Sequence, residues 1–198
     1  MRFRLATALL FVAAGVTTAG AAGLTGMGAN IFGSYFNFEK ANLTERPVSK
    51  IKVGKLSIEL AKTQLSVLQK AFGGTIQQSE SANWICYHSG DTNSWFISNA
   101  LGGQEFVMMV AVETSTKAPA GCETSESFTL PEFGIPSLGA KSAEIKERFG
   151  MLAGSSKLAY RADRPGGYSD IAQYLGYVLK GGTVVGMGVG ETSIPTEH

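Results

Sequence analysis

Apolar residues recur at helical spacing in two short stretches of this chain, and each stretch is followed by segments of strand-like alternation. Following Leu60, the residues Leu65, Val67, Leu68 and Phe72 form the first helical set, with Thr63 placed as an N-cap and Gly73-Gly74 as the stop. After Leu138, the counterpart of Leu60, the residues Ile145 and Phe149 form a second, shorter set, with Ser142 as the cap and Gly150 as the stop. Strands are expected where β-branched and aromatic residues run between turn-rich segments. After the first helix these are residues 84–87, 94–98 and 106–112, the first two joined by a turn over 88–93. After the second they are 158–161, 171–180 and 183–189, with a turn over 163–167.

The two stretches also share wording. Gly102-Gly103 leads through Val107, Met109 and Val112 to Glu113-Thr114-Ser115, and Gly181-Gly182 leads through Val184, Met187 and Val189 to Glu191-Thr192-Ser193. Phe72-Gly73 and Phe149-Gly150 stand upstream of these phrases, and the offset between copies is about 77–79 residues. The pattern predicts an α+β fold of two tandem units, each a short helical segment followed by an antiparallel β-meander. The units span 55–116 and 134–194, joined by a polar connector over 117–133. An N-terminal arm over 23–54 precedes them, Gly-rich as far as Gly33, then aromatic at Tyr35, Phe36 and Phe38, then polar. It is either a linker with one edge strand laid on the core or an arm that offers aromatic anchors to a partner. The alternation of Gly186, Gly188 and Gly190 marks a strand closely approached on its glycine face. The repeated Glu-Thr-Ser segments read as strand ends rather than as a paired-carboxylate site.

Residues 1–22 have the form of a secretory signal peptide: Arg2 and Arg4, an uncharged apolar run over 5–16, and the small-residue cleavage site Ala19-Gly20-Ala21. Cleavage there leaves about 176 residues, enough for one large or two small cores. It also leaves 15 of the 17 Lys+Arg against 16 Asp+Glu, a formal charge of −1. With no basic excess and no Lys/Arg cluster, nucleic acid is not an expected partner. No cysteine lies near the cleavage site, so no stable membrane anchor is expected after signal removal, and the product belongs in the periplasm or outside the cell. Cys86 and Cys122 are the only cysteines. In an exported chain they are expected to form a disulfide, which the chain-entropy model values at roughly 3–4 kcal/mol. The alternative is a metal site on Cys86 and His88, which share a strand face, but no further ligand is recognisably spaced. No metal and no cofactor are therefore assigned.

Catalytic chemistry has little to work with. Of the two histidines, His198 is the last residue. His88, Ser89 and Asp91 share one hairpin tip, where nucleophile, base and orienting acid cannot reach a triad's geometry. The glycines at 26–28 and 186–190 lack the strand-before, helix-after context of a dinucleotide loop. No catalytic residue is assigned. Aromatics give the better signal: Trp84, Tyr87, Trp95 and Phe96 surround the first hairpin, and Tyr174 and Tyr177 lie in the second unit. Exposed together on one sheet face they would be protein-binding anchors; otherwise they are core.

The segment Leu60-Ala61-Lys62-Thr63 to Val67 and Phe72-Gly73 resembles the opening of β-lactamase inhibitor protein-like units, which the small outer-membrane assembly lipoproteins share. Leu138-Gly139 to Ile145 and Phe149-Gly150 resembles it again. The resemblance covers roughly 56–116 and 134–194, and it implies a sheet face that grips a partner protein. The chain departs from the lipoproteins in lacking a lipidated cysteine. Together these readings lead to an exported, non-enzymatic protein-binding module, of inhibitor or immunity type. The alternatives are a small exported hydrolase or metal-binding protein using His88, and a structural envelope component whose aromatics are all core.

Overall fold

A computed structural model describes residues 23–34, 40–100, 102–150 and 156–194. The signal peptide, Tyr35, Phe36, Phe38 and His198 lie outside the described residues. In chain order the elements are α1 Gly26–Ser34, β1 Lys40–Asn42, β2 Ile51–Val53, β3 Leu56–Ile58, α2 Leu65–Phe72 and β4 Gln77–Gln78. There follow β5 Asn83–Ser89, β6 Thr92–Ile97, β7 Met109–Thr114, β8 Cys122–Glu123, α3 Ser142–Phe149, β9 Lys157–Arg164, β10 Asp170–Lys180 and β11 Thr183–Ile194.

The structure overturns the α+β fold of two tandem helix-plus-meander units. The chain is mostly β, with three helices among the described residues and one mixed nine-stranded sheet in the order β1-β9-β10-β11-β7-β6-β5-β4, β8 pairing with β5. The physical reason lies in β7 and β11. Both are buried on both faces, so neither can stand as a solvated edge, and each completes the other's hydrogen-bond ladder. They pair antiparallel with Val110 opposite Val189 and Glu113 opposite Gly186. The two copies of the repeated phrase are thus neighbouring strands of one sheet. Two pairings are parallel, β1 with β9 and β5 with β8, and both come from segments outside the expected meanders.

Alternation divides the core into two layers. One layer packs Ile85, Tyr87, Phe96, Val110, Val112, Tyr160, Leu175, Tyr177 and Val189 beneath Leu65 and Leu68 of α2 and Ile145 of α3. The β2–β3 hairpin, through Ile51, Val53 and Ile58, and the connector, through Phe128 and Phe133, complete that cover. The other layer gathers Trp84, Cys86, Trp95, Ile97, Met109, Ala111 and Tyr174 beneath Leu24, Met27 and Ile31 of the N-terminal arm.

α2 takes the residues that the spacing predicts, but its N-cap is Gln64, not Thr63. Thr63 is diverted because its Oγ1 accepts the Glu59 N–H at 3.0 Å. In α3 the N-cap is Lys141, not Ser142, which is the first helical residue; the N–H of Lys141 is held at 2.7 Å by the Glu144 carboxylate. No helix among the described residues is long and apolar enough to cross a membrane.

Candidate functional site

All six aromatics that the sequence marks as candidate anchors are buried, and the sheet divides them. Tyr87, Phe96 and Tyr177 point toward α2 and α3, whereas Trp84, Trp95 and Tyr174 point toward α1. None of the six presents its ring to solvent, so none forms an exposed binding surface in this fold. Their partners explain why. Tyr87 stacks on Phe128 at 4.4 Å and donates its hydroxyl to the carbonyl of Gly73 at 2.8 Å, closing the C-terminus of α2. Tyr160 does the same for α3, donating to Gly150 at 2.6 Å, and Tyr177 donates to Pro136 at 2.8 Å. Burial holds the phenols of Tyr87, Tyr160, Tyr174 and Tyr177 above the usual tyrosine range. An Arg161 guanidinium lies 5.5 Å over the Tyr174 ring.

Cys86 and Cys122 form the expected disulfide, as opposite residues of β5 and β8. It ties the connector to the sheet, in the manner of chains that mature in an oxidising compartment. His88 bonds neither Ser89 nor Asp91; its Nδ1 lies 2.7 Å from the Asn93 side-chain oxygen. Among the described residues no three His, Cys, Asp or Glu side chains are grouped to hold a metal.

The repeated glutamates have work that the sequence does not reveal. They project to opposite faces, so they cannot act as a carboxylate pair. Glu113 accepts the Met27 N–H at 2.7 Å, at the start of α1, and is braced by Asn93 across the strand at 3.3 Å. On the other face Glu191 holds the Arg46 guanidinium at 2.6 Å and the Gln173 amide at 2.9 Å. Gln173 in turn clasps Val48 by both backbone groups, at 2.9 and 2.8 Å. The two glutamates therefore fasten the two ends of the N-terminal arm. Between those ends, β1 seals the β9 edge.

An open cleft of about 590 Å³ lies at the far end of the sheet beside α2 and β4. Gln64, Gln69, Gln78, Asn83, Gln104 and Glu105 supply its polar wall. Four of the chain's six glutamines are in that set, so the amides are concentrated here rather than scattered. No sequence signal marks them, because they come from α2, β4, β5 and the loop before β7 at no common spacing. Beside the cleft, the outer edge of β4 has no strand partner among the described residues.

No protein-family model matches the chain, and no curated protein matches it in sequence. Among solved structures it is similar to a cysteine-rich secretory protein of Staphylococcus aureus, at 11% identity and a TM-score of 0.41. The alignment covers 77% of this chain and 50% of that one, so the chain spans about half the length of the structure it matches.

Proposed function

We propose that the mature chain acts outside the cytoplasm as a non-enzymatic protein-binding module, and that its contact surface is the open end of the sheet. One observation carries this reading: a cleft lined by side-chain amides adjoins an edge strand whose backbone is available for pairing. A carboxamide and a free strand edge both match an extended polypeptide, whose backbone alternates donors and acceptors. The disulfide and the signal-peptide pattern support an exported setting. The specific role we assign is neutralisation of an exported enzyme, because occupying a partner's surface requires no chemical step of the binder. The contact surface is not the aromatic one expected from the sequence, since α1 and α2–α3 cover both faces of the sheet.

The test is site-directed photo-crosslinking in the native envelope and secreted fractions, from Gln78 and Gln104 and, as a control, from Lys180 at the β10–β11 turn. The expected outcome is one defined polypeptide adduct from the first two positions and none from the third. Equal labelling from all three, or none from Gln78 and Gln104, overturns the reading. The second outcome favours a structural envelope component, the reading that the burial of all six aromatics independently suits.

A further inference from the structure

We propose that the cleft is selective for basic partners, its occupant being a lysine or arginine side chain of the bound polypeptide. This rests on the reading above that the cleft is the contact surface. The argument comes from which way the amides face. Backbone carbonyls only accept hydrogen bonds, so an amide that reaches one must present its nitrogen. Gln69 Nε2 donates to Gly74 O at 3.0 Å, Gln104 Nε2 to Glu80 O at 3.2 Å, and Asn83 Nδ2 to Gln104 O at 3.0 Å. Each of these amides has thereby spent a donor, and no hydrogen bond among the described residues uses any of the three amide oxygens. Each keeps one N–H against an oxygen with two acceptor sites, so acceptors outnumber donors on these three amides.

Charge reinforces that polarity. Glu105 is the only ionisable residue lining the cleft, so an unopposed carboxylate stands among the amide oxygens. Among the described residues its carboxylate takes one hydrogen bond in the lining, from Gln64 Nε2 at 3.5 Å. A lysine ammonium carries three donors and an arginine guanidinium five, and neither carries an acceptor. Either complements this wall, whereas a carboxylate or phosphate would meet the Glu105 carboxylate and find fewer donors than acceptors on these three amides. Leu65 and Ile76 supply an apolar floor for the methylene stem of such a side chain. A polypeptide source is favoured over a free amine by the neighbouring β4 edge, which can pair with the backbone on either side of the basic residue.

The experiment is a titration of the isotopically labelled mature protein, followed by amide resonances, with blocked Gly-Lys-Gly, Gly-Arg-Gly and Gly-norleucine-Gly peptides and with n-butylamine. The expected result is saturable shifts at Gln69, Asn83, Gln104 and Glu105 with the lysine and arginine peptides only. Glu105→Gln, an exposed substitution, should weaken the lysine peptide about fivefold, the scale of one exposed ion pair. Equal binding of the norleucine peptide overturns selectivity for a basic group. Butylamine binding as tightly as the lysine peptide overturns a polypeptide occupant. No binding by any peptide overturns the inference outright. A crosslinked partner from Gln78 would still stand in that case, so failure here and failure of the docking surface are read separately.

Discussion

The two faces of the sheet are covered by different means. Toward α2 and α3 the cover is large apolar side chains: Leu65, Leu68 and Ile145, with Phe128 stacked on Tyr87. Toward α1 it is one nine-residue helix containing Gly26, Gly28 and Gly33, with no charged residue in its first or last turn. Each glycine costs a helix about 1 kcal/mol relative to alanine, so α1 owes its form to what it touches. Those contacts depend on the glycines. A Cβ on Gly28 would lie 2.9 Å from the Trp95 ring, one on Gly186 would lie 3.2 Å from the Met27 sulfur, and one on Gly188 would collide with Ile31. The first cover is held by bulk and the second by its absence. A sheet can be buried on both sides while only one of its covers depends on glycines at the contact.

The sharpest way to break that comparison is to cut the disulfide, which ties the connector to the α1-facing layer through Cys86. The double substitution Cys86→Ala/Cys122→Ala should lower unfolding free energy by roughly 3–4 kcal/mol in a denaturant melt. Leu68→Ala, in the layer under α2, should cost about 3 kcal/mol and leave tryptophan emission unchanged, since both tryptophans lie on the other face. Gly188→Val should cost about 2 kcal/mol and shift tryptophan emission to the red, because Ile31 must move and α1 with it. A red shift in the leucine variant, or none in the glycine variant, would show that the faces are not independent.

Alkaline titration probes the layer beneath α2 and α3 through its buried phenols. The folded-state phenols of Tyr87 and Tyr177 are raised by burial, so their contribution to stability is complete below the unfolded value near 10. It is lost as the pH climbs from there toward the folded values, by about 1.4 kcal/mol per pH unit for each such tyrosine. Denaturant melts at pH 9, 10 and 11 test the sign, and a flat profile would contradict it. The smallest effect is expected from Glu113→Gln, which removes the charge but not the acceptor at the N-terminus of α1. It should cost about 0.5 kcal/mol by melt and loosen α1 alone in amide exchange.

Local features of this fold were legible in the residues. The apolar residues and C-terminal stop of α2, the faces of Trp84 and Cys86 against Ile85 and Tyr87, and the close approach to Gly186 and Gly188 all follow from spacing over a few positions. What joins distant segments was not. Nothing in 109–114 or 183–194 names the other as its partner, because a strand's alternation states that both faces are buried and not which edge it meets. α1 was hidden because its glycines argue against a helix, and only the opposing glycines on β11 make it possible. The cleft amides lie from Gln64 to Gln104, and each reads as an ordinary solvated side chain. The aromatics drew attention through composition, yet composition cannot distinguish a gripping face from a packed one.

The fastening of the arm also has a consequence for timing. Residues 26–48 leave the ribosome early, but the groups that hold them, Glu113, Arg161, Gln173 and Glu191, emerge long afterwards. Until β11 has been delivered, α1 has no glycine-lined strand to lie on and β1 has no edge to join. Closure of long loops comes late and slowly relative to local pairing. The arm is thus held by groups 86 or more residues further along the chain, so its docking follows the pairing of β7 with β11 and of β9 with β10.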